Sequence, residues 1–247
     1  SMKNMKKFTV LIATLALAIP AFSCSSGTSG IKSSGERPSA PTSMQADSEV
    51  AQSIYPLVLE TTTGEVNIEE KPMKILSLSP TATEILFAVG AGVQVLAVDD
   101  QSNYPPEAPT SGISGYSPNL EAILALEPDL VVHSYLPEDI EQGLANVGIP
   151  SLPQFAAATL EDTYQQIEQI GLVTDNNESA MAQVQSMRED VDRLIARTSS
   201  LESLRFYHEL DQTYYSITSA TFIGQVYDML GLENIADAAD SAGSGYP

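Results

Sequence analysis

Lys74-Ile75-Leu76-Ser77-Leu78-Ser79-Pro80-Thr81-Ala82-Thr83-Glu84 decides how the rest of the chain is read. Residues 74–78, a short and nearly all-apolar strand pattern, give way at Ser-Pro to a helical pattern over 81–89, with Thr81 and Glu84 spaced as a capping box. The same unit recurs downstream. The spacing predicts strands over 93–98, 130–133 and 151–155, with helices over 119–126 and 137–147 between them. Short strands buried on both faces and separated by helices imply parallel βαβ units with right-handed crossovers. Ligands of such sheets sit beyond the carboxyl ends of the strands. The loops of interest are therefore 79–81, 99–118 and 134–137. The first of these has no glycine, so neither a dinucleotide fingerprint nor a phosphate loop fits.

Upstream, residues 55–68 carry two β-prone runs around Thr63-Gly64, the pattern of a hairpin. Downstream, 159–173 and 177–198 are helical. In the second, Met181, Val184, Met187, Val191, Leu194 and Ile195 form one apolar stripe, and Arg188, Arg193 and Arg197 alternate with acids as a solvated face. About twenty helical residues span roughly 30 Å, enough to join two lobes. A strand over 205–210, a further one over 214–217 and a helix over 221–230 complete the pattern.

The N-terminus has a different character. Lys3, Lys6 and Lys7 precede an apolar run that ends near Pro20, and Cys24, the single cysteine, follows it. Residues 1–23 match a secretory signal, too short to span a membrane. Residues 24–54, rich in Ser, Gly, Pro and Thr, match a flexible tether. The neighbourhood of Cys24 resembles a lipoprotein signal, whose cysteine is lipidated after cleavage. The alternative is ordinary cleavage after Ser23, leaving a free thiol. The chain carries 11 Lys+Arg against 32 Asp+Glu, a net charge of −21, and without the three leading lysines the remainder reaches −24. Such a body repels phosphate backbones, so nucleic acid is excluded as a partner. At 43% hydrophobic residues it can fill a core.

Taken in order, residues 75–84, 100–106 (Asp-Gln-Ser-Asn-Tyr-Pro-Pro), 119–131 (Asn-Leu-Glu-Ala-Ile-Leu-Ala-Leu-Glu-Pro-Asp-Leu-Val), the long helix and 219–234 resemble the substrate-binding proteins of ABC importers for iron chelates, haem and vitamin B12. The vitamin B12-binding members are the nearest likeness. The resemblance implies an α/β fold of two Rossmann-like lobes, 55–158 and 201–247, joined by bridging helices over 159–200, with a ligand held between the lobes. It also implies a monomer that works outside the cytoplasm, at a membrane surface or in the periplasm, and docks on a permease dimer. In that role Glu121 meets a permease arginine; a solvated glutamate near the positive end of a helix is the plain alternative. By the same resemblance the family continues beyond the point where this sequence stops, so the second lobe is expected to be incomplete.

The ligand loops are aromatic. Tyr104 and Tyr116 fall in the loop after the second strand, His133 and Tyr135 at the end of the third, and Tyr214 and Tyr215 in the second lobe. Aromatic faces suit a large flat ligand, a core or surface role being the alternative for each. A lone histidine makes a poor metal site, so His133 is read as cleft lining or core, with no intrinsic metal or cofactor. No lysine or arginine lies in these loops. Anionic ferric siderophores and haem propionates favour such cations, so a near-neutral corrinoid is expected over them. With His133 and His208 on strands of different lobes and no nucleophile elbow, an α/β enzyme is the less favoured class and no catalytic residue is assigned.

Overall fold

The computed structural model describes residues 53–247; the predicted signal, Cys24 and the tether to residue 52 lie outside the described residues. The first lobe is built on four parallel strands in the order β4-β3-β5-β6. These are β3 (Ile75–Leu78), β4 (Val95–Val98), β5 (Leu130–His133) and β6 (Ser151–Pro153), preceded by an antiparallel hairpin of β1 (Leu57–Thr61) and β2 (Gly64–Ile68).

Alternation along the strands sends side chains to two separate cores. Ile75, Val95, Val98, Leu130 and Val132 pack on one face against the hairpin and against α1 (Pro80–Ala88), α4 (Leu160–Val173) and α5 (Asn177–Thr198). Leu76, Leu78, Ala97 and Val131 pack on the other, against α2 (Leu120–Ala125) and α3 (Glu138–Asn146). Every residue of β3 and β5 is buried. A period of two over four residues thus yields the two-sided sheet anticipated from the apolar runs.

Helix starts are set by side-chain caps. Ser79, not Thr81, begins α1: its Oγ accepts the Ala82 amide at 3.3 Å and Pro80 occupies the first helical position. Proline costs nothing there because that amide has no helical partner anyway. The capping box instead occurs at Thr159, which accepts the Asp162 amide while Asp162 accepts the Thr159 amide. Residues 93 and 94, expected to open the second strand, belong instead to a 3-10 turn over Ala91–Gln94, and β4 begins at Val95.

Helices α4 and α5 pack side by side. Arg188 donates from Nη2 to both oxygens of Glu161 at 2.8 and 2.9 Å and stands 4.2 Å from the Tyr164 ring centroid. It therefore joins two helices while staying on the solvated face expected for it. Of the predicted stripe, Val184 is buried and Met187, Val191 and Ile195 half-buried, whereas Met181 and Leu194 are exposed.

The second lobe holds β7 (Arg205–Phe206) paired in parallel with β8 (Glu233–Asn234), and α6 (Phe222–Met229). The expected strand over 205–210 is confined to two residues, and 214–217 forms no named strand. There the Ser216 amide donates to Pro247 O and the Thr218 amide to Gly245 O. Gly224 lets α6 close on this segment, since a Cβ would overlap the Thr218 carbonyl and lie 2.7 Å from Ser219 Cα. Backbone cannot yield as a flexible side chain can. Gly224→Ala should loosen the second lobe alone. Trypsin is expected to cut after Arg205 about 5-fold faster or more than in the parent, with cleavage after Lys74 unchanged.

Candidate functional site at the carboxyl edge of the sheet

All four parallel strands end on one side, and the segments after β4 and β5 carry the predicted aromatic residues. Tyr104, Tyr116 and Tyr135 are 61%, 85% and 53% exposed, and Tyr214 and Tyr215 of the second lobe are exposed as well. Five large aromatic side chains left in water are a feature of recognition surfaces rather than of cores. The tyrosines do not close around a single cavity. Tyr104 and Pro105 line a recess of about 400 Å³ with Ile85 and Phe87 of α1 and Met187 of α5, and the other four do not line it. Gln225 of α6 donates to Ala158 O at 3.2 Å, directly ahead of α4, and so links the lobes.

His133 departs from the expected ligand contact. It is 2% exposed, and alternation along β5 gives it the face of Val131, whose core it joins beside Leu78 and Pro153. Neither ring nitrogen has a hydrogen-bond partner. Of cleft lining and core, the two roles open to this residue, its burial favours the core.

Beneath the rim lies a polar network that the sequence reading missed. Ser77, Thr83, Asp99 and Ser102 are all buried. Thr83 Oγ1 lies 2.8 Å from Ser77 Oγ and 3.0 Å from Ser102 Oγ, and Asp99 Oδ1 accepts the Gln101 and Ser102 amides at 3.1 and 2.8 Å. The available signal was an aspartate closing an apolar strand, Val95 to Asp99. Tyr207, whose hydroxyl donates to Tyr214 O at 2.6 Å, is a second omission; it braces the loop that carries Tyr214 and Tyr215.

Glu121 is exposed in the first turn of α2, whose N-cap Asn119 accepts the Ala122 amide at 2.9 Å. Leu120 beside it packs on Gly143 of α3. Among the described residues no group of three or more His, Cys, Asp or Glu is placed to hold a metal, and no helix is long and apolar enough to cross a membrane.

Two α/β lobes on a bridging pair of helices, with an aromatic rim free of lysine and arginine at the strand ends, are the architecture of a solute-binding protein. Residues 75–246 match the periplasmic binding protein model, and the chain belongs to that family, whose members act outside the cytoplasm. The vitamin B12-binding protein of Vibrio parahaemolyticus is 30% identical over 167 residues, 66% of this chain and 60% of that protein. An uncharacterized ABC transporter substrate-binding lipoprotein of Bacillus subtilis is 28% identical over 213 residues, 81% of this chain and 67% of its own. Among solved structures, the periplasmic vitamin B12-binding protein of Vibrio cholerae superposes with a TM-score of 0.58 at 27% identity, covering 72% of this chain and 70% of that one. This chain thus spans about three-fifths of the length of the first relative.

The buried imidazole makes acid stability testable. Burial pushes His133 from its ordinary 6.5 down to about 4. Between those values the unfolded chain binds more protons than the folded one. Stability present above pH 6.5 is therefore lost as pH falls towards 4, by up to about 3 kcal/mol. His133→Phe should remove that increment. Urea midpoints compared at pH 7.5, 5.5 and 4.5 should diverge between parent and variant as pH falls, and parallel curves would contradict the assignment.

Proposed function

We propose that this protein captures a corrinoid of the vitamin B12 type between its lobes and delivers it to the permease dimer of an ABC importer. It is a monomer held outside the cytoplasm by a lipid on Cys24. The observation that carries the ligand class is the rim itself: exposed tyrosines with no lysine or arginine in the loops that bear them. Wide aromatic faces with polar tips match a large, nearly uncharged macrocycle. A ligand bearing carboxylates would instead call for the planar, two-pronged donor of arginine. The names of the relatives, vitamin B12-binding in two of the three, support the same class.

The chain has 10 tyrosines and no tryptophan, and the five exposed tyrosines named above therefore contribute part of its intrinsic fluorescence. Titration with cyanocobalamin, cobinamide, haem and a ferric siderophore should quench it with the two corrinoids. Tyr104→Ala and Tyr116→Ala are each expected to weaken corrinoid binding about tenfold, the loss typical of a buried aromatic anchor. Binding of the anionic siderophore alone would overturn the corrinoid reading.

Docking is assigned to Glu121. An exposed charge at an interface rim acts mainly on association rate and salt dependence. Glu121→Lys should slow association with permease in proteoliposomes and flatten its salt dependence, with corrinoid affinity unchanged. Docking at the parental rate would remove Glu121 from the interface.

A further inference from the structure

We infer that Asp99 is a positioning residue that locks the two aromatic loops of the first lobe into one preformed platform. The inference rests on the reading of this edge as the ligand face.

The residue directly follows β4 and is 1% exposed. Its two carboxylate oxygens face different segments. Oδ1 accepts the amides of Gln101 and Ser102, the turn that leads into Tyr104. Oδ2 lies against Gly115, the residue before Tyr116. A Cβ on Gly115 would fall well inside contact distance of Oδ2, 3.0 Å from Asp99 Cγ and 3.1 Å from Leu78 O. The carboxyl group therefore fills the space in which a side chain at 115 would sit.

This contact is anchored from both sides. The Asp99 amide donates to Ser77 O and the Asp100 amide to Ile113 O, each at 2.9 Å, so the loop residues flank β4 and β3. Ser102 reaches Thr83 of α1, and Thr83 reaches Ser77 of β3, all within the buried hydroxyl network. Residues 109–113 run along β4, with the Val98 amide donating to Pro109 O at 2.8 Å and the Ser111 amide to Val98 O at 2.9 Å. Two segments that start and end the same long loop thus meet at one buried carboxylate. Such a group is costly to leave unpaired, so the turn at 101–102 and the close approach at 115 hold each other in place. A rim fixed before the ligand arrives avoids the ordering cost of binding.

The decisive test crosses between the segments. In the full chain, amide exchange at residues 101–104 should accelerate about tenfold or more in Gly115→Ala, because the new Cβ displaces the carboxylate from those amides. Asp99→Ala should accelerate exchange at both 101–104 and 113–117, and Asp99→Asn, which keeps an acceptor oxygen, should restore most of the protection. The double variant Asp99→Ala/Gly115→Ala should exchange at 101–104 no faster than Asp99→Ala alone. β5 (Leu130–His133) serves as the internal control and should stay at the parental rate. Parental exchange at 101–104 in Gly115→Ala, or an Asp99→Ala effect confined to 101–104, would reduce the carboxylate to a local turn cap and overturn the inference. A second arm reads cyanocobalamin affinity. Asp99→Ala should weaken it about tenfold, and that loss should vanish when Tyr104 and Tyr116 are both alanine. Full additivity would exclude action through the tyrosines. If the parent binds no corrinoid, the proposed ligand fails while the exchange result still decides the role of Asp99.

Discussion

A strand buried on both faces must be covered from both sides, and that constraint organises the first lobe. Every residue of Ile75–Leu78 is buried, with Ile75 in one core and Leu76 and Leu78 in the other. Covering both cores requires helices above and below the sheet. Parallel strands joined through those helices all end on the same side. The edge that carries Tyr104, Tyr116 and Tyr135 is thus a consequence of how β3 is buried. So is the place of α4 and α5: they close the first core and then, through α5 and the Arg188 contacts to Glu161 and Tyr164, lead to the second lobe.

At that edge, apolar and polar demands are separated by depth. The tyrosines stand in water, while Ser77, Thr83, Asp99 and Ser102 are buried directly beneath and satisfy one another. Two side chains depart from this: His133 is buried with both ring nitrogens unpartnered, and Gln154 leaves its Oε1 without a partner. An unpaired polar ring in a core lowers stability, and here the cost rises on acidification because burial opposes the charged form. The acidic balance of the chain matters less by its total than by its distribution. Lys71, Lys74, Arg188 and Arg193 pair with Asp175, Glu127, Glu161 and Asp190, and none of these cations lies in the loops that bear the exposed tyrosines.

Local signals were most readable where they were strongest. The limits of β5 and of α5 coincide with the predicted 130–133 and 177–198, because an all-apolar run before a turn and a long periodic stripe admit one interpretation each. Cap residues were ambiguous. Ser79 and Thr81 both offer a hydroxyl near a helix start, and Pro80, which has no amide to donate and suits the first helical position, settles it for Ser79. The second lobe was least legible: β7 and β8 have two residues each, and so short a run carries no period. The exposed aromatics were found from their place after strands. Asp99 was not, since a single acid among 32 carries no mark of its burial.

By itself the sequence determined which segments of the first lobe are strands and which helices, that the sheet is parallel, and that the loops at its strand ends are aromatic and free of cations. Those features follow from period and residue type, which are properties of neighbours in the chain. Only the tertiary structure decided that His133 belongs to the core and Tyr116 to solvent, that Arg188 binds across to another helix, and that Asp99 meets Gly115. Each of these depends on what residues distant in sequence place around one atom, and burial, unlike periodicity, is a property of the whole packing.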